Sequence, residues 1–320
     1  MISFFTTAKP FRDHSGMIQR NALQSWKLLH PDVEVILFGD DEGAAEVCAE
    51  LGMRHEPHVE RHESGMKYLN YIFDRAQKIA RHDYLCYSNC DIVLMNDFRV
   101  AFEKAVAWKQ SFLMVAQRWE TDVKEPIDFR QDDWARNLHR LAVATGQLQS
   151  ADAVDFFVFA RGLYDSVPPL VIGRSYWDHW LVAKALDRGA AVLDGTRVIV
   201  PVHQNHGYGY HAGGKFGTHT DPLASQNLQL AGGPRRLRTI DDATYHLTRS
   251  GITPNWLYRL APMRRRFGVV SGSVRGALRT HLWHPLLDAT RPVRHKLGIK
   301  YQNVVPVFWQ RFRNRGHWLD

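Results

Sequence analysis

Cysteine is scarce in this chain: Cys48, Cys86 and Cys90 are the only three among 320 residues. Their odd number and unpaired spacing speak against a disulfide framework or a cysteine-based zinc site, and suit a reducing, cytoplasmic setting. Long apolar runs are missing as well. No uninterrupted stretch approaches the roughly 18 residues that mark a membrane-spanning helix. The N-terminal MISFFTTAKPFRDH has too short an apolar run, with Lys9 after it instead of charge before it, to read as a signal peptide. Internal repeats and long low-complexity linkers are absent too. The length then suits one large α/β domain with an appendage, or two domains of ordinary size.

Acidic residues are nearly missing from one region only. From Asn255 to Asp320 there are 13 Lys/Arg against 2 Asp/Glu, whereas the rest of the chain holds 28 against 31. The net charge of +8 and the pI of about 9.4 therefore come from the last fifth of the chain. The remainder is a slightly acidic body, in a chain whose 45% hydrophobic content can bury a core. A basic balance implies an anionic partner, such as nucleic acid, acidic lipid or nucleotide phosphate, without choosing among them.

Strand-like and helix-like patterns alternate along the first hundred residues. ISFFTT, VEVILFG and DYLCYSNCDIVL read as strands, while SGMIQRNALQSWKLL, DEGAAEVCAELG and KYLNYIFDRAQKIA carry helical spacing. Strands separated by helices imply parallel pairing with right-handed crossovers, hence an open α/β sheet covered on both faces. SFLMVAQRW, VDFFVFARGLY and AAVLDGTRVIVPVHQ read as later strands, DDWARNLHRLAVATG and SYWDHWLVAKALDRG as helices, and GYGYHAGGKFGTHTDP as loop.

Ligands of an open parallel sheet sit beyond the carboxyl ends of its strands. Thr6, Thr7 and Lys9 stand at the first such end, Gly39, Asp40 and Asp41 at the second, and Ser88, Asn89, Cys90 and Asp91 at the next. Asp40 or Asp41 equally suits capping of the following helix. Asn89 and Asp91 are two apart, so on an extended chain both side chains point one way and can face a cation or a metal-bound diphosphate; a tight turn is the alternative. In VIVPVHQNHGYGYH, His203 and His206 follow a buried-looking strand, with His211 nearby. Imidazole there can complete a metal site begun by Asp91, or simply pack against the sheet edge. In IGRSYWDHWLVAKAL, Trp177 and Trp180 flank Asp178 at a helix start. A carboxylate beside an aromatic wall suits a general base acting on a sugar hydroxyl, with N-capping as the alternative. Asp155, entering a strand in ADAVDFFVF, is the rival carboxylate.

Taken in order, SNCDIVL, VDFFVFARGLY, PPLVIGRSYWDHWL and VHQNHGY resemble bacterial glycosyltransferases of the GT-A, nucleotide-diphospho-sugar transferase type, over roughly two thirds of the chain. The resemblance implies a GT-A, Rossmann-like, mostly parallel open sheet over residues 1–250. The donor-binding half would span about 1–100 and the acceptor half about 101–250, followed by a basic helical extension over 251–320. It also implies a nucleotide sugar and a divalent metal, manganese or magnesium. By position, SNCDIVL corresponds to the metal and diphosphate motif, with Asn89 where an Asp usually stands, so that Asp91 carries the charge. His206 corresponds to a late histidine that joins the metal, with His203 beside it. Thr6, Thr7 and Lys9 would line the nucleotide loop and Asp40 would approach the base or ribose. Lys67, with Asn70, would meet the donor phosphates. Asp178 matches the base of inverting members, and Trp177 and Arg174 would border the acceptor. The activity implied is hexosyltransferase-like, building a surface polysaccharide or glycolipid on a saccharide or lipid-linked acceptor. A nucleotidyltransferase is the nearest enzyme alternative, disfavoured because TTAKPFRDHSG lacks the glycine density of its signature loop. A non-catalytic nucleotide- or saccharide-binding protein is kept open by Asn89.

The tail interleaves Arg with Trp and Phe in WLYRLAPMRRRFGVV, VRGALRTHLWHPLL and VFWQRFRNRGHW. Such a pattern suits an anionic lipid surface, which places the protein peripherally on the inner membrane face. Extra helices packed on the body are one alternative. Single-stranded nucleic acid is another, disfavoured because no nucleic-acid module precedes the tail.

Overall fold

The computed structural model describes residues 1–207, 221–256 and 258. Those up to Asn255 belong to one compact unit, Met1–Asn255. The loop-like stretch 208–220, including His211, and nearly all of the basic extension expected over 251–320 lie outside the described residues.

Successive side chains of a strand point to opposite faces, and β1 (Ile2–Thr7) uses both. Phe4 stacks on Trp26 of α1 (Asp13–Lys27) on one side, and Phe5 meets Phe73 of α3 (Leu69–Ile79) on the other. β2 (Glu34–Phe38) and β3 (Arg54–Glu56) extend the sheet from one edge of β1, and β4 (Tyr84–Ser88) pairs with its other edge. Beyond β4 follow β9 (Phe156–Ala160), β6 (Phe112–Val115), β10 (Ala191–Asp194), β12 (Tyr245–Thr248) and the edge strand β13 (Gly251–Pro254). Only β9 and β13 run against their neighbours, so the sheet is the mostly parallel one expected. Helices cover both faces. α1, α2 (Ala44–Leu51) and α4 (Asn96–Trp108) bury Leu23, Val47 and Phe98 against one, while α3 and α6 (Trp177–Asp187) bury Ile72 and Leu181 against the other.

A second, small sheet is made of β5 (Ile92–Val93), β11 (Val202–Gln204), β7 (Trp119–Thr121) and β8 (Gln147–Leu148), in that order. α5 (Trp134–Thr145) packs Leu138 and Ala142 into its own cluster with Val93, Trp119 and Val202. β5, β7 and β11 follow the carboxyl ends of β4, β6 and β10 respectively, so the small sheet caps that edge of the large one.

This arrangement corrects three expectations. DYLCYSNCDIVL, SFLMVAQRW and AAVLDGTRVIVPVHQ each form two strands in different sheets instead of one. Each run carries a polar or glycine break at its middle, where backbone groups find other partners: Gln117 N bonds Thr196 Oγ1 at 3.0 Å and Gly195 N bonds Val115 O at 2.8 Å. The orientation of β9 follows too. The chain stays at the carboxyl edge through β7, α5 and β8, so it re-enters the large sheet from that edge and runs down it. α7 (Pro222–Leu230) starts with Asp221 capping Leu223 N and with proline in its first turn. No helix among the described residues is long and apolar enough to cross a membrane.

Candidate active site

From β1 the chain builds outward through β2 and β3, then returns to place β4 on the other edge of β1. Such a reversal leaves a crevice at the carboxyl ends of the two central strands. A cavity of about 440 Å³ lies there. Thr7 and Lys9 enter it from the end of β1, Asn89 and Asp91 from the end of β4, His203 from β11 of the small sheet and His206 from just beyond it. Lys67, Asp155, Arg174, Trp177 and Asp178 also line it.

The turn after β4 closes through Ile92 N to Asn89 O at 3.3 Å. Asn89 and Asp91 therefore do not share one face of an extended chain. Asn89 Nδ2 donates to Asp155 Oδ1 at 2.6 Å, and Asp91 turns to the histidines. β5 pairs antiparallel with β11 in a register that sets His203 opposite Ile92, which brings the two chain segments together. Asp91 Oδ2 lies 3.1 Å from His206 Nε2 and 3.7 Å from His203 Nε2. One ligand atom of each residue falls within 4.8 Å of the other two.

Burial opposes ionisation of Asp91, yet His203, His206 and Lys9 hold its carboxyl well below the usual carboxylate range. Burial also pushes the His203 pKa down, which favours the neutral imidazole that a metal ligand must be. Asp91 Oδ1 and His203 Nδ1 have no hydrogen-bond partner among the described residues. One carboxylate and two imidazoles fit a first-row divalent ion such as manganese. Behind them, buried Gln204 donates to Ile18 O at 2.7 Å and to Asp91 O at 3.2 Å, and accepts from Asn21 Nδ2 at 2.8 Å.

Cationic side chains border the same cavity. Lys67 is 7% exposed; its Nζ donates to Ala8 O at 2.8 Å and pairs with Asp41. Burial lowers its pKa while Asp41 works against that. The pair packs on Gly39, whose φ is +107° and whose added Cβ would lie 2.7 Å from Asp41 Oδ2 and 3.0 Å from Lys67 Nζ. The backbone thus calls for glycine there, and a Cβ would also push the ends of the Asp41 and Lys67 side chains aside. Lys9 likewise has its pKa lowered by burial, against the pull of Asp91, and Gln19 clamps its backbone at N and O.

Asp178 sits in the first turn of α6, but the N-cap is Tyr176 and no side chain caps the helix. The capping alternative is thereby removed. Asp178 is 20% exposed at the side chain, and its Oδ1 has no hydrogen-bond partner among the described residues. Burial raises its pKa, with Asp155 adding to the shift and His179 opposing it. Trp177 is buried beneath, edge-on to Tyr87 at 5.4 Å. Asp155 is engaged on both oxygens, by Asn89 and by an ion pair with Arg118. Arg174 Nε lies 2.9 Å from Asp221 Oδ2.

Three expected donor residues do not line the cavity. Thr6 points into the sheet and donates to Ser88 O at 2.6 Å; Asp40 is exposed and bonds Arg61 at 2.6 Å; Asn70 lies on α3. Asp41 takes the place expected of Asp40, because the chain turns after Gly39 and presents the second carboxylate to the cleft. Arg118 and Arg61 also line it unforeseen. Arg118 was concealed inside what read as an uninterrupted strand. Burial works against its charge, but Asp155, Asp91 and Glu120 overcompensate and raise its pKa.

No protein-family model matches this chain, and no curated protein matches it. Among solved structures it is similar to glucosyl-3-phosphoglycerate synthase from Mycobacterium tuberculosis in complex with Mg2+ and uridine-diphosphate. The identity is 15% and the TM-score 0.45, over 73% of this chain and 80% of that one. The same enzyme with Mn2+, uridine-diphosphate-glucose and phosphoglyceric acid gives 16% identity and a TM-score of 0.46, over 73% and 80%. S. aureus TarS, residues 1–349, gives 10% and 0.38, over 64% and 58%.

Proposed function

We propose that this chain is a glycosyltransferase that moves a sugar from a nucleotide-diphosphate sugar to a saccharide or lipid-linked acceptor, with inversion at the anomeric carbon. The observation that carries this reading is that one cavity, at the switch point of an open parallel sheet, holds both the Asp91, His203 and His206 cluster and the carboxylate of Asp178, whose Oδ1 has no hydrogen-bond partner among the described residues. Residues 1–100 supply most of the donor side, joined by His203 and His206, and the rest of 101–250 supplies the acceptor side.

Breaking a sugar–phosphate bond leaves negative charge on the diphosphate. Asp91, His203 and His206 would hold manganese or magnesium, and a divalent ion bound there supplies compensation for that charge. Lys67, fixed by Asp41 and the Ala8 carbonyl, and Lys9, fixed by Gln19, add positive charge that needs no rearrangement as the bond breaks. Asp178 takes the proton of the acceptor hydroxyl as that oxygen attacks the anomeric carbon. Its raised pKa makes it a stronger base than a solvated carboxylate, and Trp177 offers the sugar an apolar wall. Asp155, committed to Arg118 and Asn89, serves as a positioning residue, not as a second base. Arg174 borders the acceptor, and Thr7 with Asp41 borders the nucleotide. The basic extension, which begins after Asn255 because residues 251–254 form β13 of the body, holds the enzyme at an anionic membrane surface, where a lipid-linked acceptor for a polysaccharide or glycolipid resides.

Asp91→Ala tests the donor half of this reading. Isothermal calorimetry with UDP and manganese should show binding to the wild type that weakens at least tenfold in the variant. Equal affinity with and without Asp91 would remove the cluster from the donor site.

A further inference from the structure

The backbone that delivers Asp178 into the cavity is held in an unusual conformation. Tyr176 adopts φ +86° and ψ −14°, the left-handed region that side-chain-bearing residues rarely occupy. Among the described residues only Asp13 shares a positive φ without being glycine. Tyr176 O accepts the first bond of α6, from Trp180 N at 3.0 Å, so its dihedrals set the direction in which the helix starts. Ser175, Trp177 and Asp178 line the cavity, whereas Tyr176 between them does not.

No side chain caps the start of α6, and the bond from Trp180 N is the helix's own backbone hold on this elbow. A restraint arrives from α7. Asn227, 1% exposed, accepts from Val171 N at 2.9 Å and donates to Val171 O at 3.0 Å and to Ser175 O at 3.1 Å. Both donor hydrogens and the carbonyl of this amide are spent on the two ends of the loop 171–175, which terminates at Tyr176.

We propose that Asn227 is a positioning residue for Asp178: it clamps the loop 171–175 so that Tyr176 stays left-handed and α6 starts with Trp177 and Asp178 turned into the cavity. Its functional side rests on the reading of Asp178 as the base. The geometric side does not. Without the clamp, Tyr176 relaxes toward an ordinary conformation and the first turn of α6 loosens. Glycine occupies the left-handed region without steric penalty, so Tyr176→Gly removes the tendency that the clamp opposes.

The test uses the full chain as wild type, Asn227→Ala and Asn227→Ala with Tyr176→Gly. Amide hydrogen exchange is followed over residues 177–181, and donor hydrolysis is followed with UDP-glucose and manganese, water standing in for the acceptor. Asn227→Ala should speed exchange at 177–181 about tenfold while β1 and β4 stay protected, and the second substitution should restore most of the protection. Hydrolytic kcat should fall by up to about 100-fold with KM for UDP-glucose unchanged, as a misplaced catalytic group predicts, and should recover in part with Tyr176→Gly. Wild-type protection in Asn227→Ala, or no recovery in the double variant, overturns the proposal. Exchange decides this even where hydrolysis is too slow to follow. If the exchange results hold but Asp178→Asn hydrolyses donor like the wild type, the base assignment fails and the clamp stands.

Discussion

Asp178 couples chemistry to stability through one proton. Burial, with Asp155 beside it, raises its pKa in the folded chain above the ordinary carboxylate value, while His179 opposes the shift. Between those two values the folded state binds the proton that the unfolded state has released. Its stabilising contribution is therefore complete below the ordinary pKa and is lost as pH rises through the raised one. A base works only when ionised, so the acid limb of kcat/KM should climb over the same interval in which this contribution fades. Asp178→Asn should abolish that limb and lower kcat by roughly 10²–10⁴-fold, with nucleotide affinity retained. At Gly39, alanine meets the Asp41–Lys67 pair and a φ of +107° at once. Chemical denaturation should register a loss of about 1–3 kcal/mol, together with weaker nucleotide binding. Asp91, His203 and Asp178, which line the cavity, stand out in the sequence because polar side chains at strand and helix ends contrast with apolar runs, whereas Lys67 entered only through the family resemblance. Thr6, Asp40 and Asn70 were misplaced because which side chain faces the cleft depends on strand alternation and turn geometry that neighbouring residues of like polarity do not reveal.

At the scale of elements, the long periodic helices and the strands β1, β2 and β9 could be read directly, since their apolar spacing matches one period throughout. The breaks after β4, β6 and β10 could not. Each lies inside an apolar run, and its two halves pair with different sheets for reasons set by distant partners. Gln204 shows what such a partner does. It ties α1, through Ile18 and Asn21, to the carbonyl of Asp91. Gln204→Ala leaves Asn21 Nδ2 and the Ile18 carbonyl buried without it, an expected cost of about 1–3 kcal/mol in urea unfolding. The gain in melting temperature on adding manganese should shrink in the same variant, since the support of Asp91 goes with it.

The mostly parallel sheet was apparent from the alternation of strands and helices, whereas the reversed β9 depends on a detour through the small sheet that no local pattern announces. Charge asymmetry is the other property of the whole molecule. Removing residues 256–320 takes away 13 Lys/Arg and leaves a body with 28 basic against 31 acidic side chains. The full chain should float with vesicles rich in anionic lipid and detach as salt rises, and the shortened chain should stay behind; equal flotation of both would place the contact elsewhere. The central claim, a donor site at the switch point between β1 and β4, is tested most directly by melting the full chain against a panel of nucleotides and nucleotide sugars, with and without manganese or magnesium. A ligand that binds only the folded state raises its melting temperature. One nucleoside diphosphate should stabilise the wild type, more so with metal, and the metal-dependent part should vanish in Asp91→Ala. No stabilisation by any nucleotide, with or without metal, would contradict a donor site there.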